Sequence, residues 1–311
     1  MLDIAFIFIH WKKRYMKNYS FTFAAGSLEL RDLPYINMFG CREFKSAVKG
    51  SLPKHLNPGI EICLILKGRF EWEVAGRNCL LYPGDATVTL PWQEHGGAYG
   101  AMDVGKLAWI IITPEKFMDQ GALELGVWSS IPLSGQREMG QLLRKAGKPY
   151  FRADDYLRQI FSELHGALEK EKPQRWRVNH LLDELLFHVS RKITEPAPSR
   201  KFVFDIALVE KRISSDLTRK WTLPDLEKIT GYGKSMLNLM FRQQTGFSSK
   251  SYIVHLRVSS SKQMLEQTGK PITRIAYECG FTSSQQFSSV FKKYAGQSPS
   301  DFRKYLQLVK K

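Results

Sequence analysis

The last hundred residues carry one pattern twice, and this internal repeat constrains the fold more than any other feature of the chain. In the first copy the apolar positions and a glycine run Leu223, Leu226, Gly231, Leu237 and Phe241; in the second they run Ile272, Ile275, Gly280, Phe287 and Phe291. The steps are 3, 5, 6 and 4 in one copy and 3, 5, 7 and 4 in the other. Each copy reads as a short helix, a turn at glycine, and a second helix whose i and i+4 apolar residues pack back on the first, which is a helix-turn-helix layout. Thr222 and Pro224 supply an N-cap and a first-turn proline for the opening helix. In the second copy Pro271 stands just before the helix, and Thr282 or Ser283 suits the cap of the next one. Lys250 to Glu266 is long enough for one continuous helix holding the copies apart.

Charge is concentrated in the same region. Residues 201–311 contain 19 Lys+Arg against 8 Asp+Glu, so they hold +11 of the formal net charge of +16. A basic excess gathered in one domain suits a polyanionic partner. At 311 residues the chain exceeds what one core usually organises. Residues 20–133 read as many short strands: Ile60 to Leu66, Phe70 to Val74, Cys79 to Tyr82, Ala86 to Leu90 and Leu107 to Thr113, punctuated by Lys67-Gly68, Ala75-Gly76, Pro83-Gly84-Asp85 and Gly96-Gly97. Strands at this spacing suggest a barrel or jelly roll. Residues 134–193 turn helical, with one apolar stripe at Tyr156, Ile160, Leu164 and Leu168 and another from Leu181 to Val189, broken near Lys172-Pro173. These helices form a connector: such stripes usually pack as core against the same chain, and paired helices outside a barrel also suit the contact of a homodimer. A Pro-containing linker is expected over 194–201, and a helical domain over 202–311.

Cys41, Cys63, Cys79 and Cys279 lie far apart, which fits reduced thiols in a cytoplasm better than disulfides or a zinc site. The apolar start from Leu2 to Ile9 is too short to span a bilayer, and its Lys12, Lys13 and Arg14 follow the apolar run, opposite to a signal peptide. Met16 is an alternative start, and no function is assigned to the first residues. A cytoplasmic protein without membrane contact is therefore expected.

The stretch Gly-Phe-Thr-Ser-Ser-Gln-Gln-Phe-Ser-Ser-Val-Phe-Lys-Lys-Tyr-Ala-Gly-Gln-Ser-Pro-Ser-Asp-Phe-Arg over residues 280–303 resembles the signature of AraC-family regulators. Phe241-Arg-Gln-Gln-Thr-Gly246, then Tyr252 and Leu256-Arg257, does so too, and the similarity covers about residues 205–306. The resemblance implies two helix-turn-helix units on a linker helix, each placing a recognition helix in successive major grooves of double-stranded DNA. The outward residues of the second recognition helix are then Ser284, Gln285, Ser288 and Ser289, and Gln285 suits an adenine edge. Those of the first are Ser235, Met236, Asn238 and Leu239. Leu239 and Ser289 stand where the family often has arginine, Gly233 replaces the usual Ser cap, and Glu227 sits where a small residue is preferred. The first unit should consequently discriminate bases less sharply. Arg242, Lys250, Arg257, Lys262, Lys292 and Lys293 are the expected phosphate contacts, with bracing of the linker helix against the second unit as the alternative for Arg257.

In the strand-rich part, Gly50-x4-His55-x-Asn57-x3-Glu61-x6-Gly68, then Pro83-Gly84-Asp85 and Pro91-x3-His95, resembles the two cupin motifs. His55, Glu61 and His95 fall where metal cupins place ligands, while Asn57 replaces their second histidine. Three readings stand: a polar pocket for a small-molecule effector, a hydrated divalent ion, or hydrogen-bonded structural positions. The effector site is assigned to His55, Glu61, Trp72, Trp92 and His95, with Tyr82 and Trp109 as further aromatics on or beside the strands; no metal ligand and no cofactor are assigned. The expected fold is thus multidomain α+β: an N-terminal cupin-like β-barrel, a helical connector, and a C-terminal all-α domain with two helix-turn-helix units. The expected function is a DNA-binding transcription regulator, an activator in the family's commoner mode, with RNA polymerase as partner. The rival is a metal-dependent cupin enzyme fused to a DNA-binding domain.

Overall fold

The computed structural model describes residues 20–170, 172–195 and 206–309. The apolar start and most of the expected linker lie outside the described residues.

Nine strands come first: β1 Phe21–Ala24, β2 Ile36–Phe44, β3 Ile60–Gly68, β4 Phe70–Val74, β5 Arg77–Leu81, β6 Asp85–Thr89, β7 His95–Gly97, β8 Gly105–Ile112 and, after helix α1 (Leu133–Lys145), β9 Tyr150–Arg152. They form a six-stranded sheet in the order β1-β2-β8-β3-β6-β9 and a three-stranded sheet in the order β5-β4-β7. Strand alternation decides what each face meets. Along β3, Ile60, Ile62 and Leu64 enter one core with the helices, whereas Cys63 and Ile65 enter another with Phe70 and Trp72 of the second sheet. Glu61 shares the parity of Cys63 and Ile65, so it points between the sheets.

Helices α2 (Asp155–Leu168) and α3 (Arg175–Lys192) follow. The structure differs from the expected helical connector in one respect. Tyr150–Arg152 is a strand that pairs with β6, with Phe151 buried against the sheet. Leu157, Ile160, Phe161, Leu182 and Leu185 share one core with Ile62, Leu64 and Ile110, so the apolar stripes of these helices pack on the six-stranded sheet of the same chain. Asp154 caps α2 by accepting from the Leu157 backbone N–H.

The helical part consists of α4 (Ile206–Ser215), α5 (Leu223–Thr230), α6 (Lys234–Thr245), α7 (Ser249–Gln267), α8 (Ile272–Glu278), α9 (Ser284–Ala295) and α10 (Pro299–Val309). It contains two separate apolar cores. Val209, Leu226, Leu237, Phe241 and Tyr252 build the first, and Ile275, Phe281, Phe287, Phe291 and Phe302 the second. The long helix α7 serves both: Tyr252, Ile253 and Leu256 belong to the first core, Val258 and Leu265 to the second. Among the described residues no helix is long and apolar enough to cross a membrane.

Candidate nucleic-acid interface and sensor site

The two repeated segments fold as two helix pairs, α5/α6 and α8/α9, and their local chemistry explains why. Thr222 accepts from the Asp225 N–H while the Asp225 carboxylate accepts from the Thr222 N–H, a reciprocal cap that starts α5. The pair turns at Gly231, which holds φ +73°, and Gly280 holds φ +78° at the matching turn of the second pair. Ser283 caps α9 by accepting from the Gln286 N–H, while α6 opens at Gly233 with no side-chain cap. Leu237 and Phe241 of α6, and Phe287 and Phe291 of α9, are fully buried, which turns the opposite faces outward.

Those outward faces carry the expected base-reading residues at the N-terminal ends of the helices. On α9, Gln285 and Ser289 are exposed and Ser284 and Ser288 half-buried. On α6, Ser235 and Met236 are exposed, while Asn238 and Leu239 are half-buried. Arg242, Lys250, Lys292 and Lys293 are exposed as phosphate contacts require. Two of the expected contacts fall elsewhere. Lys262 is only 7% exposed, sits over the Tyr99 ring and has its Nζ 3.9 Å from the Asp103 carboxylate, so it is buried against the β domain. Arg257 Nη2 donates to the Arg219 carbonyl at 3.0 Å, in the loop before α5, so its hydrogen bond runs to the first unit and not to the second as expected.

The sensor residues gather in part. His95 Nε2 lies 2.7 Å from Glu61 Oε2, and the Asn57 amide nitrogen donates to the same oxygen at 2.7 Å. The His55 and His95 rings stand 4.5 Å apart, with His55 Nδ1 bonded to the Pro53 carbonyl and His95 Nδ1 to that of Gln93. Burial disfavours a charged His95 ring, but the hydrogen bond and charge of Glu61 outweigh it and raise the His95 pKa above its ordinary value. When protonated, the ring can donate from both nitrogens, to Glu61 and to the Gln93 carbonyl. Cys63 Sγ donates to the other Glu61 oxygen at 3.3 Å. Among the described residues no group of three or more His, Cys, Asp or Glu side chains is placed to hold a metal ion; Asn57 fills a ligand position with an amide.

Trp72 lines the core between the sheets, and its buried indole Nε1 has no hydrogen-bond partner. Trp109 packs against the same core, but Tyr82 donates to Glu210 of α4 at 3.0 Å. Trp92 does not join the sensor residues: it follows the end of β6, turns to the helix side and meets Phe117 edge-on at 4.9 Å. A separate cleft of about 540 Å³ opens between α1 and α3, lined by Met139, Leu142, His180, Asp183 and Phe187. Its Asp183 already accepts from Ser129 Oγ and the Ser130 N–H, and the cleft holds none of the expected sensor residues.

Two family profiles match this layout. One, described as an AraC-like ligand binding domain, covers residues 41–190, and a helix-turn-helix domain profile covers residues 226–305. The chain belongs to the AraC family. Among curated AraC-type relatives, the Msm operon regulatory protein of Streptococcus mutans is 37% identical over 99 residues, 32% of this chain and 36% of its own length. The transcriptional activator RhaR of Escherichia coli is 28% identical over 167 residues, 51% of this chain and 58% of its own. The probable transcriptional regulator LumQ of Photobacterium leiognathi is 22% identical over 161 residues, 52% of this chain and 65% of its own. The matches thus span about a third to two thirds of these relatives. The solved structure of ToxT from Vibrio cholerae aligns with 86% of this chain and 98% of its own at 14% identity and a TM-score of 0.36, too low to carry any inference.

One polar group in this AraC-family chain escaped sequence reasoning. Arg69, Glu71 and Asp103 of the β domain meet His255, Ser259 and Lys262 of α7 in a largely buried network. The only trace in the sequence is the spacing of 255, 259 and 262, one face of a helix.

Proposed function

We propose that the chain is a sequence-specific regulator of transcription that binds double-stranded DNA through two helix-turn-helix units, α5/α6 and α8/α9, and responds to a small-molecule effector held by a cupin-like barrel. The observation that carries this reading is the repetition itself: two helices, α6 and α9, each bury two apolar residues on one side and leave a polar N-terminal end open on the other. The base-facing sets are Ser235, Met236, Asn238 and Leu239, and Ser284, Gln285, Ser288 and Ser289. Arg242, Lys250, Lys292 and Lys293 take phosphates.

The proposed effector site is the space between the sheets around His55, Glu61, Trp72 and His95, where a charged pair and an unpartnered indole N–H offer polar contacts beside aromatic walls. The proposed division is a sensor over 20–133, helices over 134–193, a linker over 194–201 and a DNA-binding domain over 202–311. Activation through RNA polymerase in the cytoplasm is the proposed mode, and no catalytic step is assigned. A homodimer is proposed through the outer face of α3, where Trp176 and Phe187 are exposed beside the cleft under α1. Selection of duplexes from a random pool by the full chain tests the reading. Recovery of a two-part motif supports it, and recovery of unrelated sequences at moderate salt rejects it.

A further inference from the structure

The β domain touches both helix pairs, and it does so at equivalent places. The C-terminal caps of α6 and α9 are Gly246 and Gly296, with φ +73° and +76°. Each cap is seated on the β domain, one on the end of β3 and the other on the loop between β2 and β3: a β-carbon added to Gly246 would lie 2.3 Å from the Gly68 nitrogen, and one added to Gly296 would lie 2.6 Å from the Lys49 nitrogen. Backbones this close leave no room for side chains between them. The Ala47 N–H also donates to the carbonyl of Lys293 in the last turn of α9, at 2.8 Å.

Between these two seats the β domain holds the helix that joins the pairs. Arg69 Nη1 lies 3.0 Å from His255 Nε2 and 2.7 Å from Glu71 Oε1, and Ser259 Oγ donates to the same Glu71 oxygen at 2.7 Å. Burial, together with the Arg69 charge, keeps His255 far below its ordinary pKa, so its neutral Nε2 accepts from the guanidinium. Further along, Lys262 sits between Asp103 and the Tyr99 ring, and Tyr99 packs on Phe302 of the second core at 5.1 Å. The grip therefore runs from one cap glycine along α7 to the other. The base-facing ends of α6 and α9 remain open throughout, with Ser235, Met236, Gln285 and Ser289 exposed.

Within the helical part the two pairs are tied by α7 and by one close backbone contact, the Gly280 turn against the Leu217 carbonyl just before α5, and neither fixes the far ends of α6 and α9. The two pairs have separate apolar cores that overlap along α7, with Val254 packing on the second and Leu256 belonging to the first, so a small bend or twist of α7 changes the separation of the pairs while each core stays closed. We propose that the β domain works as a caliper: by gripping the C-terminal ends of both recognition helices and the helix between them, it sets the one separation and phase of DNA half-sites that the chain accepts. This rests on the DNA-binding reading above and assigns Ala47, Arg69, Glu71, Asp103 and Lys262 as positioning residues for it. Strand β4 also carries Trp72 next to Glu71, so the strand lining the proposed effector site bears part of the grip.

The test compares the unchanged chain with Lys262→Glu, which sets a third carboxylate beside Asp103 and Glu71, and with Ala47→Pro, which deletes the N–H held by Lys293 and leaves the helical part unaltered. Each protein selects duplexes from a random pool, and its affinity is then measured on the selected site and on one with its halves displaced by about five base pairs. Two rigidly held readers should lose about 100-fold in affinity on the displaced site, because the second contact is no longer intramolecular. The released variants should lose about tenfold or less and should select a broader range of separations. Should Lys262→Glu lose its cooperative thermal melt, Ala47→Pro decides the matter. A folded variant that keeps the parent's selectivity for separation overturns the caliper, as does a parent indifferent to the displacement. A parent that selects no motif at all instead overturns the DNA-binding reading, and the caliper falls with it.

Discussion

Replacing Phe287 by alanine should unfold one helix pair and spare the other. Phe287 is fully buried, with the rings of Phe281 and Phe291 at 5.0 and 5.4 Å. Truncating such a ring costs about 3–5 kcal/mol, the transfer free energy plus the cavity left behind. A unit of roughly 50 residues is held by about 2–7 kcal/mol, so most of the local stability of α8–α10 is spent. The first pair draws on Leu226, Leu237 and Phe241 in a core that does not include Phe287, so the effect there should stay within about 0.5 kcal/mol. Amide hydrogen exchange of the full chain reads both quantities at once. A loss of about 4 kcal/mol corresponds to a fall in protection of roughly three orders of magnitude in α8–α10, against less than about threefold in α5 and α6. Equal losses in both pairs would refute the separation of the cores.

Three further outcomes follow from particular side chains. Gln285→Ala should relax the selected DNA sequence more than Asn238→Ala, because Gln285 is exposed and Asn238 half-buried; a good bidentate base contact is worth about 1–3 kcal/mol, and equal effects in a selection assay would contradict the asymmetry. Lys292→Ala should weaken binding to all sequences alike and lower the slope of log affinity against log salt by about one; an unchanged slope removes Lys292 from the phosphate contacts. The Glu61 partner raises the His95 pKa from 6.5, so the stabilisation it brings is complete below about pH 6.5 and is lost as pH rises through the raised value. The melting temperature of the unchanged chain should exceed that of His95→Gln at about pH 6 by more than at about pH 9, and a constant gap would show that the pair contributes no such linkage.

The helical part was legible in the sequence because its signals are local. A glycine turn, an Ser/Thr cap and an i, i+4 aromatic pair all fall within about twenty residues, and the boundaries of α7 follow from one uninterrupted run. Strands β3, β4, β5, β6 and β8 were legible where alternation met a Gly or Pro turn, as at Ala75-Gly76, where the turn residues take φ +48° and +74°; β1 and β2 were not singled out, and Gly96-Gly97, read as a turn, pairs with β4 as part of β7. Three-residue β9 was not legible, since Tyr150–Arg152 is too short to show a period and becomes a strand only by pairing with β6. Lys262 was misassigned for a related reason. A lysine on a polar helix face reads as solvent-exposed, and the partner that buries it, Asp103, lies about 160 residues earlier in the chain. Trp92 likewise followed a strand that lines the sensor site, but the chain turns before it. The cluster of Glu61 with His95 and Asn57 was visible only through the cupin resemblance, because those residues come from two separate strands and a loop.

Hydroxyl-radical footprinting of the full chain on its selected duplex tests the twin-reader proposal most directly. Two recognition helices held side by side should protect two patches on one face of the DNA, about 34 Å apart, one turn of the helix. A single protected patch, patches on opposite faces, or uniform weak protection would contradict it.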